Sequence, residues 1–247
     1  MEYTSHCDHL ALEGARFAQL ATTADTGLIV PGCPGWSVAD LLAHVDFVQR
    51  RACHWVRVRA TQRISAREMD LPRGPVDAPR LEEGLEELLV TLRGSDPETP
   101  MWAWGEDQHV RYWARRLLHE TLVHRVDLED ALGIPPVIDP EVASDAIDEF
   151  LGNVASSRDF SPNVANLVGQ GDVLEFRVEG ARSWSVRLDP QGFTFLSQRP
   201  SPDAILAGDA TQMLLVLYGR RRLDPTAQRL SGRRQLLEHW IENSALR

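Results

Sequence analysis

The hydrophobic repeat of this chain changes period once, at "GIPPVIDP" (residues 133–140). Before it, apolar residues recur three and four apart, the spacing of amphipathic helices. After it, several stretches alternate apolar and polar, as half-buried strands do. Pro135 and Pro136 cannot continue a helix, because proline lacks the backbone N–H and clashes with the preceding turn. The 247-residue chain therefore reads as two units. Residues 1–136 form an all-α unit, and residues 137–247 form a smaller α+β unit.

In the first half, residues 4–25 predict a helix whose stripe is Leu10, Phe17, Leu20 and Ala21. "VPGCPGW" (30–36) breaks it with Pro31, Gly32, Pro34 and Gly35. Ser37 followed by Asp40 has the spacing of a capping box and opens a second helix running to about residue 62. Residues 80–94 predict a third helix ending at Gly94. Residues 108–132 predict a fourth, closed by Gly133 and the proline pair. Connections of this length suit an antiparallel four-helix bundle. Beyond the boundary, residues 140–155 predict a helix, and 173–180, 183–190 and 192–198 predict strands. "DAILAGDATQMLLVLYGRR" predicts a short strand and then a helix, and 233–243 a last helix.

The chain carries 26 basic and 36 acidic residues, a net charge of -10, which argues against a nucleic-acid or anionic-membrane partner. Every basic residue is Arg, so Schiff-base chemistry on Lys is excluded. Such usage also suggests a GC-rich genome. Cys7, Cys33 and Cys53 form no CxxC pair, so neither a zinc knuckle nor a disulfide framework is expected. Cys33, in its Pro/Gly turn, reads as a buried structural thiol. "MEYTSHCDHL" lacks the features of a signal peptide, and no run of about 18 apolar residues exists. The expectation is a soluble protein of a reducing cytoplasm.

The fourth helix has a defect in its packing stripe. Steps of four and three from Trp113 give Leu117, Glu120, His124, Asp127 and Ala131, so half of the stripe is polar. Burying a lone carboxylate costs several kcal/mol unless it is paired or binds a metal. On the second helix, His44 falls on the stripe of Leu41, Val48 and Trp55. His44 alone reads as a hydrogen-bonded core residue, and Glu120 with His124 alone as a pair on a helix face. Taken together, they offer two His and one Glu from two helices of one bundle. That is the donor set of a catalytic zinc site with an open position, and it also suits iron, nickel or manganese. Asp127, one turn beyond His124, would hold its free ring nitrogen. The neighbouring His119 evokes the HExxH peptidase motif, but His119 and His124 are five residues apart. That turns them about 140° around the helix, so His119 is left out of the set. Trp102 and Trp104 read as packing residues or the lining of a pocket.

"VPGCPGWSVADLLAHV" with "VRYWARRLLHETLVHRVDLEDALG" resembles the mycothiol-dependent maleylpyruvate isomerase family. The resemblance implies a DinB-like metal-binding bundle over 1–136 and a sterol-carrier-like α+β domain over 137–247, the latter through "MLLVLYGRR" and the final helix. It implies zinc, or another divalent metal, on His44, Glu120 and His124, and mycothiol as thiol cosubstrate. It also implies a catalytic Arg in the second domain, best matched by Arg220, with Arg221 or Arg222 as register alternatives. The partners would then be a low-molecular-weight thiol and a small electrophile. The implied reaction adds the thiolate to a conjugated double bond, allows rotation, and expels the thiol, a cis–trans isomerisation of a maleylpyruvate-like diacid. The alternatives are S-transfer to another electrophile, a non-catalytic protein that holds a metal and a small ligand, and a metal-free homologue.

Overall fold

A computed structural model of the chain describes residues 1–198, 200–224, 226 and 228–244. It separates into two compact units, Met1–Val137 and Ile138–Arg247.

The first unit contains α1 (Tyr3–Ala21), α2 (Val38–Arg57), α3 (Ala78–Arg93) and α4 (Val110–Ala131), with a single 3-10 turn at Ala66–Glu68. Each helix packs on two others: α1 on α4 and α3, and α2 on α3 and α4. Phe17, Leu20, Val38, Leu41, Leu42, Val45, Leu81 and Leu128 form one apolar cluster from all four helices. The boundaries follow local chemistry. Ser37 and Asp40 make the reciprocal capping box at the start of α2. Asp77 caps α3 by accepting from the Arg80 N–H.

Both early helices are shorter than their periodicity predicts. α1 ends at Ala21, where "TTADTG" turns away. α2 ends at Arg57, because Arg59 adopts φ 48°. The Ala60 N–H then reaches the Trp55 carbonyl at 3.0 Å, and the Arg59 N–H the Val56 carbonyl at 3.1 Å, a Schellman closure. Glycine usually marks such a stop. Here an arginine takes the left-handed conformation, so the sequence carries no signal for it.

Charged groups inside this unit are mostly paired. Asp46 accepts from Arg50 Nε at 2.8 Å and from Arg80 at 2.7 Å, tying α2 to α3. Arg125 of α4 bonds Glu13 of α1 at 2.6 Å and its own-helix Glu129 at 2.5 Å.

The second unit contains α5 (Pro140–Asn153), β1 (Asp172–Val178), β2 (Ser183–Asp189), β3 (Gly192–Leu196), β4 (Ala204–Gly208), α6 (Ala210–Leu217), β5 (Arg229–Gly232) and α7 (Arg234–Ser244). The strands form one sheet in the order β3-β2-β1-β4-β5. Antiparallel pairs join β1 to β2, β2 to β3 and β4 to β5, while β1 and β4 run parallel. Alternation finds β1 to β3 but misses β5, whose four mostly exposed residues "RLSG" are too few to show a period. Trp240 of α7 packs on Phe176 and Phe193 of the sheet, and Phe150 of α5 on Tyr218. No helix among the described residues is long and apolar enough to cross a membrane.

Candidate metal centre

The turn before α2 builds one wall of the site. Val30 accepts from the Cys33 N–H at 3.1 Å, and Cys33 accepts from the Trp36 N–H at 3.0 Å. The second of these turns has Pro34 at its first central position and Gly35 at φ 85° at the next. That is the type II arrangement, in which the fixed φ of proline and the left-handed freedom of glycine are both used. The paired turns present Cys33 and Trp36 beside the start of α2. The Trp36 ring lies 4.9 Å from the ring of His44 and 6.2 Å from that of His124.

α2 and α4 supply the rest. His44 Nε2 lies 2.9 Å from Glu120 Oε1, and His124 Nε2 lies 3.3 Å from the same oxygen. One donor atom from each of His44, Glu120 and His124 falls within 4.8 Å of the other two, so the three converge on one point. The cluster is open on one side. The side chains of His44 and Glu120 keep 29% and 25% exposure, while His124 keeps 9% and Asp127 none. The polar stripe is therefore the mouth of a site on the helical unit, with its far end sunk into the core.

Each donor is held by a further group. Asp127 Oδ2 accepts from His124 Nδ1 at 2.9 Å, which turns the other nitrogen toward Glu120. The same oxygen accepts from the Cys33 thiol at 3.3 Å. Arg116, one turn before Glu120, donates to Glu120 Oε2 at 2.8 Å and leaves Oε1 for the two imidazoles. Burial pushes the Glu120 carboxyl up, but hydrogen bonds from His124 and His44 and the charge of Arg116 outweigh it and hold it well below the usual carboxylate range. Burial pushes His124 down, yet its bonds to Asp127, Cys33 and Glu120 hold it well above the usual imidazole range. The pocket thus favours positive charge at the convergence point.

His44, Glu120, His124 and Asp127 come together. His119 is fully buried and meets His6 edge-on at 6.4 Å, outside the donor cluster. Cys33 forms no disulfide and is partly rather than fully buried, and its thiol meets the site through Asp127. Trp102 and Trp113 pack with Trp55, at 4.8 and 4.9 Å, and Trp104 with Tyr112. Arg220 lies in the second unit. Gly219 closes α6 with φ 72°, and the Arg220 N–H bonds the Leu215 carbonyl at 2.7 Å, so the "YGRR" segment fixes where the arginine starts. Its guanidinium donates to the Tyr218 carbonyl. Periodicity had no means of finding Cys33 or Trp36, because both lie in a turn. Arg116 was legible in principle, four residues before Glu120 on the same helix face.

The donor chemistry fits a divalent cation: two imidazoles and one carboxylate, converging and open on one side. The family model described as the mycothiol maleylpyruvate isomerase N-terminal domain matches residues 7–129. The corresponding C-terminal domain model matches residues 141–239. The chain belongs to the mycothiol-dependent maleylpyruvate isomerase family. A crystal structure of the mycothiol-dependent maleylpyruvate isomerase has the same fold, with a TM-score of 0.61 at 13% identity. The alignment covers 94% of this chain and 93% of that one. A histidine-to-alanine mutant of that enzyme aligns with a TM-score of 0.60, also at 13% identity and with the same coverage. No curated protein sequence matches the chain. Within the family's two-domain plan, the helical unit carries the His–Glu–His cluster, and the α+β unit carries Arg220.

Proposed function

We propose that the chain is a metal-dependent enzyme that activates a low-molecular-weight thiol, mycothiol, for addition to a small electrophile. The carrying observation is the convergence of His44, Glu120 and His124 at an open-sided point on two adjacent helices. Family membership supplies the thiol and the isomerase precedent. A divalent cation such as zinc, held by these three residues, would stabilise the thiolate form of an incoming thiol at neutral pH.

The chain's own residues prepare that site. Asp127 fixes the His124 ring and keeps Nδ1 protonated, so Nε2 presents its lone pair to the centre. Arg116 orients Glu120 so that one oxygen faces the centre. Trp36 covers one side of both imidazoles, which excludes water and strengthens electrostatic attraction there. The open side admits the thiol and the electrophile. In this reading Arg220 is the arginine of the second unit that binds a carboxylate of the reacting molecule, since a guanidinium pairs with carboxylate in a fork. The helical unit is the DinB-like module and the α+β unit the sterol-carrier-like one.

The reaction is cis–trans isomerisation of a maleylpyruvate-like diacid. Addition of the thiolate turns the double bond into a single bond, rotation follows, and expulsion of the thiol restores the double bond. S-transfer that ends in a thioether uses the same site, and product analysis separates the two. The decisive experiment is metal analysis of the purified chain and of His44→Ala and Glu120→Ala. The expected result is about one equivalent of zinc in the parent and loss of both metal and mycothiol-dependent turnover in the variants. Stoichiometric zinc persisting in the double variant sinks the site assignment.

A further inference from the structure

Arg51 has the wrong surroundings for a structural arginine. The other arginines buried in the helical unit are ion-paired: Arg50 with Asp46, Arg116 with Glu120, Arg125 with Glu13. Arg51 is half-buried on α2, and its Nε is shut off from solvent with no hydrogen-bond partner. Among the described residues no carboxylate bonds its guanidinium. Instead the guanidinium lies between two rings, 4.9 Å from the centre of Phe47 and 4.8 Å from that of Trp55. Burial makes the cation costly there; the charge of Glu120 offsets part of that cost, and the charge of Arg63 adds to it.

Position gives this cation a use. Arg51 follows His44 by seven residues, which returns it to the same face of α2, roughly 10 Å along the axis. Trp55 is itself locked, with its indole N–H on the Ile64 carbonyl and its ring against Trp102 and Trp113. A guanidinium held by rigid rings keeps its donor fork pre-set, so little freedom is lost when an anion arrives.

We infer that Arg51 is an anion-binding residue of the helical unit, holding a carboxylate of the electrophile at a fixed distance along α2 from the His–Glu–His cluster. The inference rests on the thiol-addition reading only for the identity of the anion. A short dicarboxylate suits the site: its charge pairs with the fork, and its carbon chain has the partly exposed ring of Phe47 to lie against.

The test is calorimetric titration of the zinc-loaded full chain with maleate, alongside succinamide as an uncharged control. The parent chain is expected to bind maleate and to ignore succinamide. Arg51→Met should weaken maleate binding about 10- to 100-fold, the range for losing a charged hydrogen-bonding partner. Arg51→Lys should fall between the two. Zinc content should not change, and the melting temperature of Arg51→Met should equal or exceed that of the parent, because an unpaired buried charge has been removed. Equal maleate affinity in Arg51→Met overturns the inference, as does absence of maleate binding by the parent. A lower melting temperature with maleate affinity retained assigns Arg51 to the fold instead. If the chain holds no zinc but its maleate affinity still depends on Arg51, the anion site stands and the metal reading falls.

Discussion

Asp127 has no exposed surface, and its carboxylate oxygen is shared between the His124 ring and the Cys33 thiol. A carboxylate in that place is tolerated because both contacts donate to it. Its effect passes through His124: an anionic acceptor on Nδ1 fixes the ring and raises the basicity of Nε2. Replacing Asp127 by Asn leaves an acceptor of similar shape without the charge. Zinc affinity of Asp127→Asn should fall about 10- to 100-fold, read by competition with a chromophoric chelator. Unchanged affinity would reduce Asp127 to a packing residue. At the same scale, His119 shows how a single residue of spacing separates roles. It adjoins Glu120 in sequence, yet it is turned into the core against His6.

At the scale of elements, both ends of α2 are set by local hydrogen bonding, one legible and one not. The Ser37–Asp40 box announces the start, whereas the Schellman closure at Arg59 has no glycine to announce it. Asp172 does comparable work in the second unit. It opens β1, accepts from the Gln170 N–H at 3.0 Å and from Arg233 at 2.6 Å, and so ties the sheet to the segment that enters α7. The Gln170 hydrogen bond, followed by that of Arg233, holds the Asp172 carboxyl below the usual carboxylate value. A group depressed in the folded state stabilises above its unfolded pKa and loses that contribution as pH falls through the folded one. Asp172→Asn should therefore be less stable than the parent in urea at about pH 7. The difference should shrink as pH falls through the depressed pKa of the parent carboxyl. A difference that persists in acid assigns the loss to something other than charge.

At the scale of the whole molecule, the candidate cation site joins α2 and α4, two helices of one core, so occupancy by a metal would be coupled to stability. A ligand bound only by the folded state stabilises it by RT ln(1 + [L]/Kd), about 2.7 kcal/mol at a hundredfold excess over Kd. Stripping the purified chain with a chelator should lower its melting temperature by several degrees, and added zinc should restore it. His44→Ala should show no such response. A parent chain indifferent to chelator and zinc would leave the cluster as a set of hydrogen bonds between side chains.

Period alone revealed that this chain has a helical first half and an α+β second half. The backbone allows only two common side-chain repeats, and a proline pair separates them here. The polar break in the α4 stripe, together with His44 on the α2 stripe, also pointed to one cluster, because residues three and four apart on a helix share a face. Period is silent where no period exists. Cys33 and Trp36 reach the cluster through two consecutive turns, β5 is too short to alternate, and the parallel pairing of β1 with β4 comes from a long-range contact. The two adjacent arginines of α2 divide along the same line. Phe47 and Trp55 lie four residues either side of Arg51 on α2, and Asp46 four before Arg50, so those neighbours follow from helical spacing; only the packing of α2 on α3 decides that Arg50 also meets Glu83 and Glu87.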